Sequence, residues 1–270
     1  HMAIALELAR RLARREVLPH NMLLVFQPAE ETTGGAQAIC HSGVFDQYRT
    51  KAIFGLHLWP DLPAGVLASI PGGMMCRSSE VTLTVTGRSA HVARAGLGRD
   101  ALEAAARWYL EALSLEGQLP PEEPRLLKFG RLQAGTVRNA LAGSARLEGT
   151  LRAFRDPVFD RLRGELEALA RDVAAGSGCR LDLSFSDGYP AVWNPPELLE
   201  RVEGIWPLAR LDKPVLITED FSWYQRYLPG LFFFLGCGPA PALHSPDFQF
   251  DEGVLARGAD LFTRIGEELV

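Results

Sequence analysis

Two adjacent carboxylates, Glu30 and Glu31, close the segment QPAEE (Gln27 to Glu31), which directly follows the apolar run MLLVF. In an open α/β sheet ligands bind outside the carboxyl ends of the strands, and the pair falls at such an end. Neighbours on an extended chain point in different directions, so the two cannot flank one glycosidic bond. A division of labour suits them better, one carboxylate binding a metal and the other handling a proton. Taken alone, the motif reads more simply as a solvated acidic helix start favoured by the helix dipole. His57, in IFGLHLW, alternates with Ile53 and Gly55 and so emerges at the end of the next strand. His244, in ALHSPDF, follows the run GLFFFLG and a Gly/Pro-rich loop, another strand exit. Singly, such a histidine reads as a hydrogen-bonded rim residue. Carboxylate and imidazole converging from three strand ends form a donor set for zinc and its neighbours, and the three together outweigh each plainer reading.

Three more candidates fall in a different stretch. His91 lies in the loop GRSAHVA, where there is little core to satisfy, so a binding or oxyanion role stands beside an idle surface one. Asn139 (TVRNAL) and Arg152 (GTLRAF) are polar groups that could bind substrate; the Arg fork matches a carboxylate, though either could be a surface hydrogen bonder. His20 and His41 sit at helix ends with no partner pattern and read as structural. Cys40, Cys76, Cys179 and Cys237 are scattered without CxxC pairing, which excludes a disulfide framework and a zinc ribbon and fits a reduced, cytoplasmic protein. No GxSxG elbow supports serine hydrolase chemistry.

The elements that must position these groups follow from periodicity. A helix over 3–16, a strand over 22–28, a helix over 34–43 and strands at 51–59 and 65–70 imply a mainly parallel sheet covered on both faces. After Pro71-Gly72-Gly73 the pattern changes: Val81, Leu83 and Val85 alternate with Thr82, Thr84 and Thr86, as a sheet with one wetter face requires. From there the order is strand, helix (98–113), strands at 126–132 and 145–154, helix (156–175) and strand (180–185). That is β-α-β-β-α-β, a ferredoxin-like α+β sandwich whose first strand, SEVTLTVTG, is expected to serve as an open pairing edge. A helix from 196, a strand at 214–218, a helix at 219–227, a strand at 230–236 and a closing helix from 253 restore the α/β character. The expectation is a discontinuous α/β/α catalytic domain (1–76 and 190–270) with an inserted lid or dimerisation domain (77–189).

Composition narrows the classes. With 47% hydrophobic and 23% charged residues, the 270-residue chain has material for a buried core and lies far from disordered compositions. Its formal net charge is −5 with no basic tract, so nucleic acid is not expected as a partner. No apolar run approaches the roughly 20 residues that span a bilayer, so no membrane is expected either.

In order along the chain stand FQPAEE, GLH, a GxxxH in the small domain, GT-L-R, EDFS, PG-x-F-x-FLG and LH-x-P. The chain thereby resembles the metal-dependent amidohydrolases of the aminoacylase and carboxypeptidase kind. These di-zinc metallopeptidases include N-acyl-amino-acid amidohydrolases, hippurate hydrolases, N-acetyldiaminopimelate deacetylases and plant auxin-conjugate hydrolases. The resemblance implies hydrolysis of the amide of N-acyl amino acids, N-acetyl first among them, with two divalent metals: zinc, or else manganese, cobalt or nickel. It further implies Glu30 as general base toward a metal-activated water and Glu31, His57 and His244 as metal ligands. His91 would reach the scissile carbonyl from a partner subunit, Asn139 and Arg152 would bind the substrate carboxylate, and Glu219 and Asp220 would support the site floor. The implied assembly is a homodimer through the small domain.

Two departures stand out. The family's HACGHDxH segment has no counterpart here beyond His1, which matches its last His, and Ala95 replaces a usual Pro. The resemblance therefore implies an amino-terminal truncation that removes the first strands of the catalytic sheet and half of the metal site, which leaves open whether the chain by itself is active. The alternative, from another class, is a non-catalytic relative acting as a binding or dimerisation module.

Overall fold

The computed structural model of the 270-residue chain describes residues 1–30, 34–241, 243 and 245–269. Two compact units emerge, one formed by His1–Met75, Val192–Val215 and Glu219–Val270 and the other by Cys76–Ala191 and Leu216–Thr218. The first unit opens with α1 (Met2–Leu12), α2 (Ala36–His41), α3 (Val44–Gln47), β1 (Ile53–Trp59), β2 (Leu67–Ser69) and β3 (Gly72–Met75). The second holds β4 (Arg77–Thr86), α4 (Ala101–Gly117), β5 (Arg125–Ala134), β6 (Ser144–Ala153), α5 (Asp156–Ser177) and β7 (Arg180–Phe185). The returning chain adds β8 (Val192–Asn194), α6 (Pro196–Glu203), β9 (Ala209–Arg210), β10 (Gly230–Gly236) and α7 (Leu255–Glu268) to the first.

The principal sheet of the first unit runs β1-β10-β2-β9, with β1 parallel to β10, β2 parallel to β9, and β2 antiparallel to β10. Every residue of β10 is buried, which is why GLFFFLG reads as an unbroken apolar run: both faces of the strand are covered. Leu231, Phe233 and Leu235 face a cluster with Ile4 of α1 and Ala259, Leu261 and Ile265 of α7. Phe232 and Phe234 face the opposite cluster with Ala36, Cys40, Phe45, Phe221 and Tyr224. Because β1 and β10 are parallel, their carboxyl ends share one sheet edge. Gly55 in β1 is required by packing: a Cβ there would lie 2.8 Å from the Phe221 ring, closer than carbon atoms approach. Gly55→Ala is therefore expected to lower stability by about 1–3 kcal/mol, as overpacking does, read from urea unfolding. An unchanged midpoint would mean that the ring does not rest on β1.

Three expectations for this unit need correction. Residues 22–28 form no ladder among the described residues, and the outer edge of β1, which pairs with β10 alone, stays unpaired. Residues 214–218 contribute only the isolated bridge Val215 to Met75. Residues 220–226 wind as a 3-10 rather than an α-helix, capped by Glu219, whose Oε1 accepts from the Phe221 N–H at 3.3 Å.

In the second unit the order β-α-β-β-α-β builds a four-stranded antiparallel sheet, β5-β6-β4-β7, the ferredoxin-like arrangement. Val81, Leu83 and Val85 are fully buried on the side covered by Trp108 of α4 and Phe159, Leu162 and Leu166 of α5. The expectation that SEVTLTVTG is an open edge fails. Strand β4 pairs with β6 along its whole length and with β7 over Val81–Thr86, because each helical crossover carries the chain past it and leaves β4 interior. The edges are β5 and β7. Among the described residues no helix is long and apolar enough to cross a membrane.

Candidate active site

One carboxylate oxygen each of Glu30, Glu219 and Asp220 lies within 4.8 Å of the other two. Glu219 and Asp220 are buried, Glu30 half-buried. Like charges at that range repel strongly out of water, so the cluster calls for compensation by hydrogen bonds or cations. Asp220 has its compensation within the protein. Its Oδ1 and Oδ2 accept from Gln27 Nε2 at 2.9 and 2.7 Å, and Oδ2 also accepts from the Gly35 and Ala36 N–H groups at 3.0 and 3.2 Å. Tyr224 completes the network by donating its hydroxyl to Gln27 Oε1 at 2.6 Å. Burial, with Asp220, Cys40 and Glu219 nearby, pushes the Tyr224 phenol pKa upward, so it remains a donor.

The backbone entering the cluster is unusual. Ala29, immediately before Glu30, has φ 62°, a left-handed conformation that non-glycine residues adopt at a cost of about 1–2 kcal/mol. The Gly34 N–H donates to Ala29 O at 2.9 Å. Gly35 approaches so closely that a Cβ there would lie 2.1 Å from Pro28 O.

His57 lies near the carboxyl end of β1. Its Nδ1–H donates to Leu58 O at 2.7 Å, the tautomer that places the lone pair on Nε2, where a metal-binding imidazole needs it. Its ring is 4.7 Å, centroid to centroid, from that of His1. Glu31 and His244 lie outside the described residues.

The remaining candidates belong to the second unit and fall into two places. His91 is exposed, its Nδ1 accepts from the Ala93 N–H at 3.2 Å, and a bridge to Ala140 sets it beside the segment carrying Asn139. Arg152 pairs with Ser78 at the opposite end of β4 from Thr86, the residue after which the His91 loop begins. Eight residues of strand separate these ends, roughly 27 Å at about 3.4 Å per residue. Arg152 donates its Nη1–H to Leu216 O, and among the described residues its buried Nε has no hydrogen-bond partner. One chain thus brings His91 and Asn139 together and holds Arg152 apart from them. All four cysteines are free and buried, which suits small-hydrophobe roles.

Gln27 and Tyr224 escaped notice in the sequence. Gln27 lies inside the QPAEE motif but carries no charge to draw attention. Tyr224 lies four residues after Asp220 in a segment that winds as a 3-10 helix, where that spacing does not align side chains, so no local signal marks it.

Residues 1–268 match the family described as Peptidase family M20/M25/M40. The N-acetyldiaminopimelate deacetylase of Exiguobacterium sibiricum is 31% identical over 257 residues, covering 93% of this chain and 69% of that protein. That of Lacticaseibacillus casei is 31% identical over 267 residues, 96% of this chain and 70% of the relative. Among solved structures, the YXEP protein of Bacillus subtilis, described as a dinuclear metal binding peptidase from M20 family, superposes with a TM-score of 0.81 at 26% identity. The match covers 98% of this chain and 70% of that one. Aminopeptidase PepT from Bacillus cereus shares the fold at a TM-score of 0.74 and 20% identity, over 99% of this chain and 69% of that one. The chain belongs to peptidase family M20/M25/M40 and is a metal-dependent amide hydrolase.

Proposed function

We propose that this chain hydrolyses the amide of N-acetyl and similar N-acyl amino acids, releasing a carboxylate and a free amino acid, with two divalent metals, zinc by preference. The observation that carries the reading is the half-buried Glu30 beside the Glu219 and Asp220 carboxylates, in a chain whose 31% identical relatives are named deacetylases. The donor chemistry fits a metal centre: the His57 tautomer presents Nε2, and the carboxylate cluster calls for cationic compensation. Glu31, His57 and His244 are the proposed ligands. Asp220 is not, because its oxygens already accept four hydrogen bonds. When bound, the metals polarise the amide carbonyl and lower the pKa of water. Glu30 takes a proton from the attacking water and returns it to the departing nitrogen, so that amide and water become carboxylate and amine.

The separation of Arg152 from His91 and Asn139 supports a site completed by two chains, with Arg152 of one and His91 and Asn139 of the other. A homodimer through the second unit is the corresponding assembly, and β5 is its proposed edge in place of β4. At ten residues β5 is longer than the six-residue β7, and Leu110 of the neighbouring α4 is 64% exposed. Buried thiols suit a reducing compartment, and the cytoplasm is the proposed location.

The reading is tested by offering the zinc-loaded protein N-acetyl amino acids of varied side chain and measuring acetate and free amine. Equimolar release is expected; intact N-acetyl substrates across the series would contradict the proposal. Arg152→Ala is expected to raise KM for free-acid substrates by about 10-fold or more, the scale of a hydrogen bond to a charged group, and to leave amidated analogues nearly unchanged. Equal losses on both would confine Arg152 to its clamp on Leu216.

A further inference from the structure

The loop that carries Glu30 is held at both of its feet by one buried side chain. Gln27, at the start, donates to both Asp220 oxygens, and Gly35 and Ala36, at the end, donate their N–H groups to Asp220 Oδ2. Asp220 is 1% exposed and Tyr224 4%. An amide can serve this arrangement in one orientation only: its NH2 must face the carboxylate, leaving Oε1 to receive a donor. Tyr224 is that donor, and its hydroxyl at 2.6 Å locks the orientation. Between the feet, Pro28 has a fixed φ and Ala29 is left-handed, so the position of Glu30 is set by where Gln27 is anchored. Ala29 can stay in that conformation only while its surroundings over-determine it.

We propose that Gln27 and Tyr224 are positioning residues for the hydrolytic site: Tyr224 orients the Gln27 amide, Gln27 grips Asp220, and the grip aims Glu30. Neither Gln27 nor Tyr224 touches substrate. The proposal rests on the amide-hydrolase reading with Glu30 as proton carrier, and it makes a statement that reading does not: Tyr224 acts entirely through Gln27.

The test is a double-mutant cycle of Gln27→Met, close in shape but without hydrogen bonds, and Tyr224→Phe. Each variant is followed by steady-state hydrolysis of an N-acetyl amino acid, by zinc affinity in competition with a chromophoric chelator, and by thermal unfolding. A displacement of about 1 Å can cost about 100-fold in rate, so Gln27→Met is expected to lower kcat by about that factor with KM little changed. Tyr224→Phe is expected to lower it by about 10-fold, since the grip remains but loses its orienting donor. Zinc affinity is expected to change far less than kcat in Gln27→Met, because the carboxylate that Gln27 grips, Asp220, is not among the proposed ligands. The double variant should match Gln27→Met in kcat and in zinc affinity, because the phenol has nothing left to orient. Losses that add in the double variant, or single variants that unfold earlier with kcat intact, would overturn the positioning role while leaving the hydrolase reading standing. A wild-type protein that neither binds zinc nor hydrolyses the substrate would overturn both.

Discussion

Glu30→Gln is expected to lower kcat for an N-acetyl amino acid by about 100-fold or more, the contribution of a positioned proton carrier, with the bound metal retained. The substitution keeps the shape and hydrogen-bonding reach of the side chain and removes its basicity. It also removes one of three carboxylates lying within 4.8 Å of one another, so the fold should be no less stable. Parallel measurement of metal content by elemental analysis separates the roles of Glu30 and Glu31. A variant that loses metal yet keeps the rate in its remaining loaded fraction would reverse their assignments.

The second large effect concerns assembly. His91→Ala and Glu30→Gln variants should each be nearly inactive, and mixing them with exchange of subunits should restore activity toward about a quarter of wild type. Under random exchange half of the dimers are mixed, and half of their sites combine an intact Glu30 with an intact His91 from the partner. The geometry that motivates this test is the strand-length separation of Arg152 from His91 and Asn139 within one unit. No recovery, with exchange confirmed by native mass spectrometry, would place His91 in the site of its own chain or in none.

What the sequence revealed and what it hid have physical reasons. The alternation of Val81, Leu83 and Val85 with threonines and the unbroken run GLFFFLG report local burial, and the structure buries those residues accordingly. Pairing is not local. Nothing within MLLVF says whether an edge awaits it, and nothing within SEVTLTVTG says that β6 and β7 close both of its sides. The site shows the same division. Glu30 and His57 stood out because carboxylates and imidazoles at strand exits are conspicuous in type and place. The Gln27 amide and the Tyr224 phenol are common groups whose role depends on a contact across 197 residues of chain. Asp220 was legible as part of EDFS only through resemblance, and its commitment to Gln27, Gly35 and Ala36 could be seen only in three dimensions.

The most direct test of the central claim is hydrolysis of an N-acetyl amino acid before and after exhaustive chelation, with metal content measured on the same samples. Metal-dependent catalysis through the Glu30 site predicts that acetate release disappears with the metal and returns on adding zinc, manganese or cobalt to wild-type protein, but not to Glu30→Gln. Undiminished hydrolysis in protein shown by elemental analysis to be free of metal would contradict it.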